Sequence, residues 1–565
     1  MRLTTALGSI SATSGLLCLF SAMSCSQSNT GSTPPGTAGS SGVAGAPSQV
    51  GTAGSSTGTS GAPAAAGAAN TATAGSSSSV AGAMNSAGGA GGAPSSGGGA
   101  GGAPTSSAGS SGAVGTAGAA ACAPPTVSLS GADAVVGGKL IQFNDNGAWC
   151  WYQDERVVVD TKANKLVIGS VASGGSRNGY QEAVIYDIAA GTKKLFTLST
   201  GLASNVDDHN APAFLVRPDG KYFAMWSGHR SDCLSRSSIF DGTAWSAEKK
   251  FDWASAGCPW AGASTNMVTY SNPWYIGTSI FAGVRSVGTD PAVLTSADDG
   301  ATMSYYGRLM ATKQTGYVAG YFKYWGNNTD RIDFVGTEAH PRDKDTSLFH
   351  GYIKDGKVYD SLGMAKDDEL KDPNSTTSTA VDINTYTPVF KTGSTIGGVK
   401  LEHAWNHDIV RYADGSIAIL GQARVTGTGS DDPDKRMLYF RFDGTTWKAT
   451  YLVNAGKKLY ADEQDYTGLG ALVPDDPTTI YISTPYDPNT DKMGSSGKRE
   501  IWRGTTCDNG ATFKWTPVTA NSTKDNIRPV VPRWDASHTA LLWMQGTYNT
   551  AQKWSMAIVG TISGQ

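Results

Sequence analysis

Charge, aromatic rings and bulky aliphatic side chains are missing from a long stretch of this chain. From Ser26 to about Ala121 the sequence is built almost wholly of Gly, Ala, Ser, Thr and Pro, with no charged residue and no aromatic. Such a segment has no large apolar surface to bury, so it cannot offset the entropy of ordering its backbone. That excludes a folded domain there and leaves a disordered Gly/Ala/Ser-rich tether over residues 25–123. Treated as a coil, it holds the C-terminal remainder of the chain on the order of 50 Å from the start of the tether, using ~5–6 Å × √n. Long apolar runs are scarce as well. Arg2 followed by an apolar stretch through Leu16-Leu17-Cys18-Leu19-Phe20 reads as an export signal over residues 1–24, too short for a membrane span. Ala22-Met23-Ser24-Cys25 has the form of a lipoprotein cleavage site with Cys25 lipidated, although Ala stands where Leu is usual. Export is therefore expected, with the protein either secreted or held at the outer cell surface through a lipid anchor on Cys25.

Cysteine and histidine are also sparse, seven of each in 565 residues. No CxxC and no Cys/His spacing announces a zinc site. Glu402-His403 and His407 have helical metal spacing, but the pattern around them is strand-like. No cofactor is called for, and a structural metal ion stays open. Export permits disulfides, and Cys233 with Cys258 is the expected pair. Cys122, Cys150 and Cys507 leave an odd number. Residues 124–565 carry 43 of the 44 basic and all 47 acidic side chains, a net charge of −4. That balance provides no basic face for nucleic acid; attraction for a polyanion would come from a few arginines in a cleft. A monomer is expected.

Residues 124–565 read as all-β. Short apolar or alternating runs, such as Arg156-Val157-Val158-Val159, Lys165-Leu166-Val167-Ile168-Gly169 and Thr479-Ile480-Tyr481-Ile482, are punctuated by Gly, Asp and Asn turns. No three-turn amphipathic helix is evident. Ser296-Ala-Asp298-Asp-Gly300-Ala-Thr302 and Thr506-Cys-Asp508-Asn-Gly510-Ala-Thr512 match each other and resemble the Asp-box, in which a carboxylate satisfies backbone N–H groups of a tight hairpin. Looser relatives are Asp241-Gly242-Thr243 and Asp443-Gly444-Thr445. Recurrent hairpins over this length indicate a β-propeller of six to eight four-stranded blades, with a two-sheet sandwich as the alternative.

Two of the histidines bracket one expected hairpin. Ala213-Phe214-Leu215-Val216, the turn Arg217-Pro218-Asp219-Gly220, and Lys221-Tyr222-Phe223-Ala224-Met225-Trp226 form strand, turn and return strand. Chain reversal brings His209 and His229 to the same end, roughly one strand spacing (~5 Å) apart. Two imidazoles on one rim suggest a site; two solvated loop residues are the plainer reading.

Several motifs along the folded part, Trp149-Cys-Trp151-Tyr-Gln-Asp154-Glu155-Arg156, Asp207-Asp-His209-Asn-Ala-Pro212, His340-Pro-Arg342-Asp343, Trp405-Asn-His407-Asp408 and Asp465-Tyr466, together resemble the BNR-repeat β-propeller family that includes the ulvan lyases. The resemblance implies seven blades and β-elimination at a uronic acid of a sulfated, anionic polysaccharide. It implies that His209 is base or proton relay, that its partner His229 polarises or neutralises the substrate carboxylate, and that Tyr270 is the catalytic tyrosine, with Tyr275 its fallback. Arg285 fits the carboxylate-neutralising arginine, and Tyr324 a substrate-facing tyrosine with Tyr321 its near rival. Taken alone, any one tyrosine in a β-strand is more often a packing residue, and His340 and His407 are equally explained as links between blades. Asp154-Glu155-Arg156 is expected to hold a loop by an internal ion pair. A sialidase-like glycoside hydrolase and a non-catalytic carbohydrate-binding propeller are the rival functions.

Overall fold

Alternating β-branched and aromatic residues between turn-forming Asp, Asn and Gly dictate short antiparallel hairpins, and the computed structural model is built of them. It describes residues 127–260, 268–311, 320–372, 381–429 and 431–564. The proposed signal, Cys25, the tether and Cys122 lie outside the described residues. Seven sheets of at least four strands follow one another along the chain as the blades of a ring. Blade I begins with Val157–Asp160, blade II with Ala213–Val216, blade III with Thr269–Ile276 and blade IV with Phe322–Gly326. The main strand of blade V is Val399–Arg411, and blades VI and VII open with Gly470–Leu472 and Asp525–Val530. These opening strands touch their counterparts in neighbouring blades, which makes them the inner strands along the axis. Among the described residues the helices are short 3-10 segments of three or four residues.

The ring is closed by its two ends. Ile141–Asn144, from the beginning of the described chain, pairs antiparallel with Lys553–Ser563 and becomes the outer strand of blade VII. Phe143 meets Tyr186 of blade I edge-on at 5.0 Å, and the Asn144 amide donates to Glu182 of the same blade at 3.0 Å. The closing strand thus ties the last blade to the first.

The Asp-box hairpins take the expected form. Asp298 Oδ1 accepts from Thr302 N at 2.8 Å and Ser296 Oγ from Gly300 N at 2.8 Å; Asp508, Thr512, Thr506 and Gly510 repeat the pattern. Gly510 has φ +85°, and a Cβ on it would collide with the Tyr439 ring of the preceding blade. Each such hairpin is therefore both a turn and a wedge between blades. Between blades the packing is aromatic and aliphatic, and Trp149, Trp226, Trp253, Trp405 and Trp543 are wholly buried. Burying one Phe side chain such as Phe214 or Phe223 contributes about 1.5–3 kcal/mol. Cys233 and Cys258 are bonded to each other, Cys507 is also disulfide-bonded, and Cys150 is a buried free thiol.

Candidate active site

Where the inner strands begin, the chain places a cluster of titratable and aromatic side chains at one mouth of the axis. A 3-10 turn, Asp208–Asn210, precedes the first strand of blade II and is capped by Asp207, whose Oδ1 accepts from His209 N at 3.0 Å. The hairpin beyond it forms as its turn sequence requires, with Ala213 opposite Met225, and returns His229 to the same end. The two imidazoles stack, centroids 4.3 Å apart and planes 18° apart. Asp207 holds both through their Nδ1 atoms, 2.5 Å to His209 on Oδ1 and 2.8 Å to His229 on Oδ2. Gln552 of blade VII donates a fourth hydrogen bond to this carboxylate, to Asp207 Oδ2 at 2.8 Å.

One carboxylate between two stacked rings sets their protonation. Burial works against charge on His209, but Cys150, Asp207 and Asp208 outweigh it and hold its pKa well above the ordinary 6.5. His229 is pushed down to about 4 by burial, Asp207's attraction being only partly effective against it and the charged His209 ring reinforcing it. Burial would raise Asp207, yet His229 and His209 bring it well below the usual carboxylate range. The pair thus carries one positive charge at neutral pH. His209 is the imidazolium. His229 is neutral, its Nδ1–H donating to Asp207, so its Nε2 carries the lone pair. The His229 side chain is 16% exposed and that of His209 5%, so His229 is the ring nearer solvent.

Behind this pair stands a rigid frame. Asp208 is fully buried, paired with Arg528 and accepting from Tyr548 Oη at 2.6 Å; its Oδ1 also lies 2.8 Å from His209 Nδ1, outside hydrogen-bond alignment. Arg528 Nη1 further donates to Trp149 O at 2.6 Å, and its guanidinium lies 5.1 Å from the Trp151 ring. Tyr466 Oη is 3.5 Å from His209 Nε2.

Blades III and IV supply the other side. Tyr270 sits in the left-handed region, φ +67°, beside a bulge between Thr269 and Asn272 that turns it toward the axis. Its ring is 5.7 Å from His209, and its buried Oη has no protein hydrogen-bond partner among the described residues. Burial, opposed by Arg285, raises its pKa well above 10. Arg285 faces the Tyr270 ring at 4.8 Å and the Tyr321 ring at 5.4 Å, and donates to Thr269 Oγ1 at 3.3 Å. His340 stands edge-on to Tyr321 at 4.9 Å. At the rim, Arg342 pairs with Glu463 at 2.5 Å, and burial pushes the Glu463 carboxyl up to about 7.

The ring is similar in fold to an ulvan lyase. Two structures described as a PL25 polysaccharide lyase, an ulvan lyase, one of them bound to GlcA(1-4)Rha3S, align with 75% of this chain and 95% of their own at a TM-score of 0.54 and 13% identity. A looser match, at a TM-score of 0.39 and 8% identity, covers 77% of this chain and 97% of an oligogalacturonate lyase from Vibrio parahaemolyticus. The sequence matches no family model and no curated protein. At these identities the likeness to the lyase is one of architecture, seven blades around an axis.

Of the residues singled out in the sequence, His209, His229, Tyr270, Arg285 and Tyr321 come together. Tyr324 does not. It lies in the core between blades, against Phe334 and face-on to Gly283, where a Cβ would come within 2.6 Å of its ring. Three residues along a strand reverse the face presented, so Tyr321 reaches the axis and Tyr324 cannot. Tyr275 is likewise turned away, bonded to Asp299 of an Asp-box hairpin at 3.0 Å. Asp154 and Arg156 pair at 3.5 Å, and Lys323 joins them, donating to Asp154 at 2.6 Å. Asp207 and Tyr466 stand in family-like motifs but carried no expected role, and Arg528 lies in no recognisable motif. Asp207, His209 and His229, or Cys150, Asp208 and His209, offer ligand atoms within 4.8 Å of one another. In both sets the carboxylate is already occupied, by two imidazole N–H groups or by Arg528, so a cation there would compete with a proton or a guanidinium.

Proposed function

We propose that this protein is a polysaccharide lyase that cleaves a uronic-acid-containing polymer by β-elimination. The observation that carries the reading is the stacked pair His229 and His209 held by one carboxylate, Asp207, with His229 toward the rim and Arg285 and Tyr270 opposite. Elimination has three requirements. The substrate carboxylate must be neutralised, the C5 proton removed, and the departing C4 oxygen protonated. Arg285, always charged and planar, suits the carboxylate. His229 Nε2 suits proton removal. Tyr270, its Oη unengaged by protein, suits the proton delivery, and the His209 imidazolium with Tyr466 suits relay and electrostatic support. This assignment exchanges the roles expected of the two histidines: the ring with the available lone pair is His229.

The ulvan lyase of similar fold was solved with GlcA(1-4)Rha3S, which makes a sulfated glucuronate polymer the first substrate to test; the export signal and tether expected from the N-terminal sequence would accord with that use. The purified protein is incubated with ulvan and other uronate polymers while the ultraviolet absorbance of the new C4–C5 double bond is followed. A rise abolished by His229→Ala supports elimination at this cluster. New reducing ends without that absorbance would instead make the protein a hydrolase, and silence on every polymer would leave a binding module.

A further inference from the structure

The axis of the ring has a second mouth. Tyr270 and Tyr321 stand where their inner strands begin, and Trp274 and Trp325 lie four residues further along the same strands, about 13 Å away at ~3.3 Å per residue. Between the two levels the axis is plugged by Lys323, Asp154 and Asp408, with Lys323 Nζ 2.6 Å from Asp154, and the remaining void is only about 20 Å³. Beyond the plug opens a cavity of about 290 Å³, lined among others by Glu155, Trp274, Trp325, Asn328, Arg533 and Trp534. That is near the lower end of small-molecule pockets, about 300–1,000 Å³.

Its one arginine is sparingly bonded by the protein. The Arg533 guanidinium carbon lies over Trp325, 4.5 Å from the ring centroid, and Arg533 makes one long hydrogen bond, 3.4 Å, to Asn327 O. Among the described residues no carboxylate lies within ion-pair distance of Arg533. Asp475, which accepts from the neighbouring Trp534 N at 2.8 Å, and Glu155 when ionised attract the guanidinium from beyond ion-pair distance. A half-buried cation with no directly bonded counter-ion is a costly feature unless an anion completes it. A guanidinium over an aromatic ring still offers the N–H groups not engaged by Asn327 O to a planar anion. Glu155, at the inner end, is pushed up to about 8 by burial and by Asp154 beside it, so it is protonated at neutral pH and donates rather than repels. Trp534 stacks on His538 at 4.8 Å, which holds its ring at the entrance.

We infer that this opposite mouth is a second, non-catalytic binding site for one acidic sugar residue, its carboxylate on Arg533 and its ring against the tryptophans. An amphipathic ring with hydroxyls and one anionic group matches aromatic walls, one guanidinium and one protonated carboxyl in a cavity of this size. The assignment rests on the cavity's own residues and does not depend on the cluster at the first mouth.

Isothermal titration of the intact chain with D-glucuronate tests it, alongside Arg533→Ala, Arg533→Lys and Arg285→Ala, with D-glucose and inorganic sulfate as comparators. Arg533→Ala should weaken glucuronate binding at least tenfold, Arg533→Lys should retain part of it, and glucose should bind more weakly than glucuronate. In Arg285→Ala the binding that depends on Arg533 should persist. Polymer cleavage, where measured, should be unchanged by Arg533→Ala, and an unaltered melting temperature shows that the fold is kept; Trp325→Phe, which weakens the stack without touching the charge, gives an independent reading. The proposal is overturned if the intact chain shows no saturable binding, if Arg533→Ala binds as tightly as the intact chain, or if sulfate binds as well as glucuronate, which would make the mouth a simple anion site.

Discussion

His229 is the residue whose titration reports most directly on the chemistry. A solvated histidine working as a base would lose activity near its ordinary pKa of 6.5; burial and the neighbouring imidazolium place His229 at about 4. The acid limb of kcat/KM should therefore fall near pH 4, and a limb near 6.5 would show that His229 is not the base. Replacing it by Ala should reduce kcat by ~10²–10⁴, the usual contribution of a general acid or base. The same shift bears on stability. A histidine whose pKa is lower folded than unfolded opposes folding increasingly as pH falls from 6.5 toward 4, because the unfolded chain binds the proton more readily. His209, raised, and Asp207, lowered, have the opposite sense. The His209 contribution is full below about pH 6.5 and lost as pH rises through its folded value, and that of Asp207 is full above about 3.8 and lost as pH falls through its own. Urea unfolding at pH 7 and pH 4 should show His229→Asn losing less stability on acidification than the intact protein, by on the order of 3 kcal/mol. Equal losses would mean that the ring is neither as buried nor as coupled as its contacts with Asp207 and His209 imply.

At the scale of elements, the Asp-box hairpins carry mechanical weight out of proportion to their size. Gly510 occupies a left-handed turn position while pressing on Tyr439 of the blade before it. A methyl group there meets both constraints at once, the backbone strain and the overpacking. Gly510→Ala should lower unfolding free energy by about 2–4 kcal/mol, read from the urea midpoint at constant m. A change below about 0.5 kcal/mol, the usual range of a neutral surface change, would show that the blades can part at that seam without loss. These hairpins were legible in the sequence because the Asp, Gly and Thr that define them interact within four residues. The hairpin from Ala213 to Trp226 was legible for the same reason, and with it the meeting of His209 and His229. Tyr324 was misplaced because its face depends on strand register, and one register step sends a side chain from the axis to the gap between blades. Tyr270 points inward through a bulge that no local pattern announces.

The whole molecule depends on ring closure. The Ile141–Asn144 strand completes blade VII and grips blade I through Phe143 and Asn144. Deleting residues 127–144 would expose an unpaired strand edge and the apolar side of blade I together. The expected result is loss of the single cooperative unfolding transition, with the His209–His229 pair failing to assemble, because Gln552 and Arg528 of blade VII hold the two aspartates beside it. If the shortened chain unfolds in one transition at the midpoint of the full chain, closure contributes little.

What the sequence by itself determined is everything enforced over a few residues: the strand period, the turns, the capped hairpins and the juxtaposition of two histidines. Seven-fold closure and the company the histidines keep were decided by tertiary structure. Arg528 reaches Asp208 across 320 positions of chain, and Tyr466 reaches His209 across 257. Those contacts exist because seven inner strands begin at one mouth of a closed ring, a convergence set by blade packing and strand register. Hydrogen bonding and hydrophobic period act between neighbours in sequence; the electrostatics of this cluster act between neighbours in space.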